Sequence, residues 1–285
     1  MNSSVIRKLR RFASQSLFLT ETYLTGHVPL YDGEFGYELL LQVPYANYLF
    51  KAGRLRSTLG LSDTHALYFF SPDHQEVKGS RSCSPYRGWN RTPHSQFIFR
   101  QWLPPDFRSY YQNSEFVFEK PICIIHNKYT MEWGEPPVNF ISLQVLSSLF
   151  ESLSKRFQII YIRPGGSKFT CSDHQATFEF ADFDLIKSNF PSVKTLQDLL
   201  DQNPAYSWND LQFKLHSNCQ HFISVQGGNS VLASYFGGTN IIFAKKGQEL
   251  VVNAFDRLYP KLSGCNIYSF NDEILFESAV LEHYK

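Results

Sequence analysis

The stretch His221-Phe222-Ile223-Ser224-Val225-Gln226-Gly227-Gly228-Asn229-Ser230-Val231-Leu232-Ala233-Ser234-Tyr235-Phe236-Gly237 decides the fold. Its first five residues form an apolar run of strand length, His221–Val225. The glycine pair permits a tight turn and close approach of another group to the backbone. An apolar helix is expected from Ser230 to Tyr235, with Asn229 or Ser230 suited to cap it. Strand, glycine turn and helix together form half of a βαβ unit. Amides at such a helix start attract an anion, for instance a diphosphate. The turn lacks the Gly-Lys-Ser/Thr of a Walker A loop and the spacing of GxGxxG, so nucleotide hydrolysis and dinucleotide binding are not favoured. A plain glycine turn is the alternative reading.

The same rhythm extends in both directions. Ile122–His126 and Phe157–Ile162 read as buried strands, and Asn240–Ala244 and Asn266–Phe270 as further ones. Helices are expected at Phe140–Lys155, Trp208–Ser217, Leu250–Leu258 and Asp272–Tyr284. Alternating strands and helices imply a parallel sheet covered on both faces, which explains the continuous apolar runs. Ligands of such sheets bind beyond the carboxyl ends of the strands. Two more strand ends carry suitable groups. Asn127, Lys128 and Glu132 follow Ile122–His126, together with Tyr129 and Trp133, which are able to stack on a sugar or base. Arg163 follows Phe157–Ile162 and opens the run Arg163-Pro164-Gly165-Gly166-Ser167-Lys168. An arginine there suits a phosphate or a neighbouring carboxylate equally well.

Before residue 119 the pattern is irregular. A strand at Tyr23–Val28, a helix at Tyr37–Lys51 and a strand at Ala66–Phe70 are expected, then a proline-rich stretch to Pro105. Asp32-Gly33-Glu34 precedes the helix, and Asp73-His74 follows the second strand, which makes Asp32, Glu34, Asp73 and His74 candidate proton acceptors. Asp63 and Asp106 read as caps. The chain divides into residues 1–118 and 119–285, and its last helix has the option of packing back on the first half.

Composition narrows the function classes. With 27 Lys+Arg and 26 Asp+Glu the net charge is +1, too balanced for a general nucleic-acid binder. No apolar run approaches the ~20 residues of a membrane span. The five cysteines, Cys83, Cys123, Cys171, Cys219 and Cys265, are dispersed and form no CxxC pair. That count fits reduced thiols in a soluble cytoplasmic protein and argues against structural zinc. No Gly-x-Ser-x-Gly elbow or HExxH is present. Asp182-Phe183-Asp184 is the nearest approach to a metal motif, but two acidic residues also suit a helix start.

Three segments, Asp32–Leu40 (DGEFGYELL), His126–Ile141 (HNKYTMEWGEPPVNFI) with Tyr161–Gly165, and Phe222–Gly237 (FISVQGGNSVLASYFG), carry a resemblance to glycosyltransferases of the GT-B architecture. The chain is similar to small glycan-building transferases of bacteria and large algal viruses, some of them xylosyltransferases. The resemblance implies an α/β fold of two Rossmann-like halves with parallel sheets facing a cleft. The first half would serve the glycan acceptor and the second the nucleotide-sugar donor, a UDP-sugar being favoured and UDP-xylose among the options. By the same resemblance Gln226, Gly227, Gly228, Asn229 and Ser230 cradle the donor diphosphate, and Arg163, Lys128 and Lys245 supply positive charge. No metal or other cofactor is then needed. An inverting enzyme of this kind takes its base from the first half: Asp73 is preferred, Glu34 is second, and His74 either orients the acceptor or serves itself. A non-catalytic nucleotide or glycan binding module, and a nucleotide-sugar hydrolase or epimerase, remain the competing classes.

Overall fold

The computed structural model describes residues 17–81, 101–164 and 178–284. Gly165, Gly166, Ser167, Lys168, Cys83 and Cys171 lie outside the described residues. The described chain forms two compact units, one ending at Pro105 and the next beginning at Asp106. That division falls before the 118/119 boundary suggested by the sequence rhythm. The reason is the helix Phe107–Tyr111, capped by Asp106, which packs Phe107 edge-on against Phe213 of helix Trp208–Ser217 at 4.8 Å.

The first unit holds three parallel strands in the order β1 (His27–Val28), β2 (Ser57–Leu61) and β3 (His74–Val77). Two expectations need correction here. Residues 17–25 are helical, so only His27–Val28 of the expected Tyr23–Val28 strand is extended. The helix holds because Phe18 and Thr22 sit one turn apart against Tyr45, with the Thr22 hydroxyl 2.6 Å from the Tyr45 hydroxyl. Ala66–Phe70 is not a strand: His65–Tyr68 forms a 3-10 turn. The Glu76 carboxylate accepts from the backbone amides of Asp63, Thr64 and His65 at 2.7–3.0 Å and so fixes a helical start where an apolar run alone reads as β. Ala66, Leu67 and Tyr68 are buried all the same.

The expected helix at Tyr37–Lys51 is present as a continuous helical run. It comprises Phe35–Tyr37, a π-helical turn at Glu38–Gln42 and Val43–Lys51. Pro44 explains the wide turn. It has no N–H to give the carbonyl of Leu40, four residues back. That carbonyl accepts instead from the Trp102 indole at 2.7 Å, while Val43 N–H reaches the Glu38 carbonyl.

The second unit contains a six-stranded parallel sheet in the order β6-β5-β4-β7-β8-β9. These strands are β4 (Ile122–His126), β5 (Gln158–Ile162), β6 (Lys194–Thr195), β7 (His221–Val225), β8 (Thr239–Phe243) and β9 (Asn266–Phe270). In chain order within the unit this is 3-2-1-4-5-6, the doubly wound arrangement. One face is covered by helices Leu143–Leu153 and Glu273–His283, which bury Leu146, Leu149, Phe276 and Val280 against Cys123, Ile125, Ile223 and Ile241. The other face is covered by Trp208–Ser217 and Gly228–Ser234. The expected Leu250–Leu258 helix is broken into Gln248–Val251 and Ala254–Arg257 by Asn253 in the left-handed region, φ 52°. No helix among the described residues is long and apolar enough to cross a membrane.

Two buried imidazoles meet beneath this second face. His126 and His216 lie Nε2 to Nε2 at 2.7 Å, and His216 Nδ1 donates to the Gln212 carbonyl at 2.5 Å. Burial holds both below the ordinary histidine range, with His216 lowered to about 3. In the unfolded chain both titrate near ~6.5. Above that pH both states are neutral and the pair imposes no pH dependence. Below it the unfolded chain takes up protons that the native pair refuses, so stability falls as pH falls, by up to ~2.7 kcal/mol per pH unit for two sites. Urea unfolding at pH 7.5 and 5.5 should show this loss, and a His126→Gln/His216→Gln double variant should flatten much of it.

Candidate functional site

The order of the large sheet reverses between β4 and β7, the first and fourth strands of the unit. They pair in parallel with Cys123 opposite His221 and Ile125 opposite Ile223, so their carboxyl ends emerge side by side. Such a reversal leaves a crevice, because the connections depart to opposite faces. The two strand ends supply Asn127-Lys128 and Gln226-Gly227. Gly227 has φ 129° and ψ −163°, a conformation that L side chains rarely adopt, and helix Gly228–Ser234 starts after it. A Cβ built on Gly227 would stand 3.3 Å from Lys128 Nζ. The ammonium of one strand end thus lies against the bare backbone of the other. Ser230 N–H and Ser230 Oγ both return to the Gly227 carbonyl, at 3.1 and 2.8 Å. Gly228 and Asn229 N–H, the first two of the helix, have no intrahelical acceptor.

Two asparagine side chains shape the loop that carries Lys128. Asn127 is buried and closes the loop on itself: its Oδ1 accepts from Ile141 N–H at 2.9 Å and its Nδ2 donates to the Ile141 carbonyl at 3.1 Å. Asn139 ties the loop to the end of β8, accepting from Lys245 and Lys246 N–H at 2.8 and 3.1 Å and donating to the Lys246 carbonyl at 2.9 Å. Glu132, also buried, accepts from Asn139 through one carboxylate oxygen and pairs with the Lys128 ammonium through the other. Asn127 is thus engaged with the loop's own backbone, and Glu132 holds Lys128 in an ion pair. Lys245 is anchored by its backbone and keeps an exposed side chain.

Gln226 faces the end of β8, where its Nε2 donates to Glu249 at 2.6 Å. Its Oε1 is buried with no hydrogen-bond partner among the described residues. Glu249 escaped the sequence reading. The available signal was Gly247 two residues earlier, whose φ is 156° and whose built Cβ would stand 2.7 Å from Gln226 Nε2.

Arg163 is committed elsewhere. Its guanidinium grips Asp182 with Nε to Oδ2 at 2.5 Å and Nη2 to Oδ1 at 2.8 Å, and it lies over the Phe183 ring at 4.5 Å. Tyr161 also donates to Asp182, at 2.5 Å. Of the two readings of Arg163, this is the ion pair with a carboxylate. Asp182 begins helix Asp182–Asn189 and Asp184 is exposed. Among the described residues no group of three or more His, Cys, Asp or Glu side chains is arranged to hold a metal.

The candidates of the first unit separate. Asp73 does not follow a strand: it precedes β3, at the amino edge of a parallel sheet, and its exposed carboxylate accepts from Gln75 at 3.0 Å. His74 is the first residue of β3, with Nδ1 2.7 Å from the Thr58 hydroxyl and Nε2 3.1 Å from the Thr64 hydroxyl. Its ring stacks on Tyr68 at 4.9 Å, and burial lowers it to about 4. Both its nitrogens are engaged and the ring is neutral at pH 7. Glu34 lies in the turn beyond the carboxyl end of β1 and immediately precedes helix Phe35–Tyr37. Next to that turn, buried Arg81 donates to the Gly33 carbonyl at 3.0 Å and to Glu38 at 2.5 Å, and Glu38 also receives the Tyr68 hydroxyl at 2.8 Å.

No family model matches the chain, and no curated protein matches it in sequence. Among solved structures the chain is similar to ADP-heptose LPS heptosyltransferase II of E. coli, with a TM-score of 0.52 and 10% identity over 90% of this chain and 98% of that one. It is more weakly similar to TibC of enterotoxigenic E. coli, described as an iron-containing dodecameric glycosyltransferase, with a TM-score of 0.42 and 12% identity over 86% of this chain and 61% of that one. The first likeness shows a GT-B-type α/β fold with parallel sheets.

The Arg163–Asp182 geometry yields a test. Asp182→Ala would leave a buried guanidinium without its counter-charge and should cost about 3–5 kcal/mol in unfolding free energy. Asp184→Ala, at an exposed position, should stay within about 0.5 kcal/mol. Chemical denaturation of the two variants measures the contrast; equal effects would contradict a structural role confined to Asp182.

Proposed function

We propose that the chain is a glycosyltransferase that carries a sugar from a nucleotide-sugar, a UDP-sugar such as UDP-xylose being favoured, to a hydroxyl of a glycan. The observation that carries this reading is the Lys128 ammonium against Gly227, at the point where the sheet order reverses and a helix begins. In this reading the acceptor oxygen attacks the anomeric carbon while its proton passes to a carboxylate. The bond from that carbon to the diphosphate oxygen breaks, and the nucleoside diphosphate leaves with the electron pair. Lys128 and the Gly228 and Asn229 amides meet the charge that grows on the leaving oxygens, where fixed donors act most strongly. Glu132 holds the ammonium in place.

We assign the base to Glu34 in preference to Asp73. Ligands of parallel sheets gather beyond the carboxyl ends of strands. Glu34 follows the carboxyl end of β1, whereas Asp73 precedes the amino end of β3. Metal-independent chemistry is part of the proposal and is supported by the engagement of Asp182 with Arg163 and Tyr161. A reducing, cytoplasmic setting is supported by free buried thiols at Cys123, Cys219 and Cys265.

The decisive assay is release of free nucleotide from UDP-, GDP- and CMP-sugars with and without a glycan acceptor, with and without EDTA. Release only with acceptor, surviving EDTA, is expected. Release without acceptor would make the protein a hydrolase, and binding without release a binding module. Glu34→Gln should lower turnover by ~10²–10⁴-fold at unchanged nucleotide affinity. Asp73→Asn should stay near full activity, and Lys128→Ala should weaken nucleotide binding by about tenfold or more. Full activity of Glu34→Gln would remove the base assignment.

A further inference from the structure

Beside Lys128 the same loop displays a tryptophan. Glu132 and Glu135 exchange both backbone hydrogen bonds, at 3.0 and 2.8 Å, around the two-residue tip Trp133-Gly134. Trp133 has φ 52° and Gly134 φ 81°, the doubly left-handed tip of a type I′ turn. Asn, Asp and Gly suit that first position, and a bulky side chain there is an outlier. The indole is nonetheless 54% exposed. Its near neighbour is Lys246, whose Nζ stands 5.7 Å from the ring centroid while pairing with Glu135 at 2.8 Å. The chain thus accepts an unfavourable backbone conformation and an exposed aromatic surface at one residue. That residue adjoins Glu132, which itself contacts the Lys128 ammonium.

Resting on the donor reading above, we infer that Trp133 is the stacking platform for the donor's nucleobase. A ligand whose diphosphate meets Lys128 and Gly227 carries its nucleoside outward from the crevice. The hairpin tip carries a half-exposed indole one residue beyond Glu132, the carboxylate that holds Lys128, on the unit proposed to bind the phosphates. Base–aromatic stacking tolerates any base because every base has a π face. Trp133 therefore contributes affinity for a nucleoside diphosphate without choosing among bases. Lys246, held by Glu135, lies against the indole.

The inference is tested with Trp133→Asn and Trp133→Phe, titrated with UDP, ADP and inorganic pyrophosphate. Asn is favoured at this turn position, so Trp133→Asn should keep or raise the melting temperature. It should weaken UDP and ADP alike by roughly 10- to 100-fold and leave pyrophosphate affinity unchanged. Trp133→Phe should restore most of the nucleotide affinity. Unchanged UDP affinity in Trp133→Asn would overturn the inference. So would an equal loss for pyrophosphate, which would make Trp133 a support of the loop, or a loss confined to the sugar-bearing donor relative to UDP, which would make it a sugar platform. Wild-type protein that binds neither UDP nor pyrophosphate would instead sink the donor reading itself, so the two failures are distinguishable.

Discussion

The parallel pairing of β4 with β7 is the constraint from which the site follows. These two strands are separated by almost a hundred residues of chain, yet their registers match from Cys123–His221 to Ile125–Ile223. Because the strand order reverses at this pair, connections leave to opposite faces and two loop starts remain next to each other. One contributes a cation and the other a glycine whose missing side chain leaves room for it. Together they set a positive charge against bare backbone where helix Gly228–Ser234 begins. The buried side-chain amides of Asn127 and Asn139 then do for the loop what backbone pairing does for the strands, satisfying polar groups that burial would otherwise strand. In this way a loop with almost no regular structure keeps Lys128 and Glu132 paired.

The second unit was largely legible in the sequence because five of its six strands are five-residue, mostly apolar runs, whereas the two-residue β6 (Lys194–Thr195) carries no such signal. His221–Val225, Asn266–Phe270 and helix Trp208–Ser217 stand where pattern alone puts them. The first unit was not, for two physical reasons. Its strands are short or polar, as in His27–Val28 and His74–Val77, so periodicity has little to act on. And the apolar run Ala66–Phe70 follows a turn whose amides, at Asp63, Thr64 and His65, are held by the side chain of Glu76 on β3, which local pattern cannot register. The error at Ala66–Phe70 carried over to Asp73, whose candidacy rested on following a strand.

The site residues divide along the same line. Gln226–Ser230 and Lys128 were visible because glycine turns and strand ends are local features. Whether Arg163 serves a ligand or a carboxylate depends on a partner 19 residues away, and both readings stood open until Asp182 was seen to hold it. Glu249 was missed because its relevance comes from Gln226, in the turn that follows the neighbouring strand β7.

The π turn at Glu38–Gln42 has a consequence for chain length. An α-helix advances 100° per residue, so the additional residue of a wider turn rotates everything before it relative to everything after it. The apolar stripe of Val43–Lys51 is keyed to the first unit's core, while Glu38 is keyed to Arg81 and Tyr68. The helix is thus two phases spliced at Pro44, with Trp102 holding the carbonyl left over at the splice. Deleting one residue here would preserve helicity and leave the apolar stripe in place, yet it would swing the Asp32–Glu34 turn by about a third of a turn. The heading of the Glu34 carboxylate is stored as a residue count within the helix, and buried Glu38, Leu39 and Leu40 tie that count to the core of the unit.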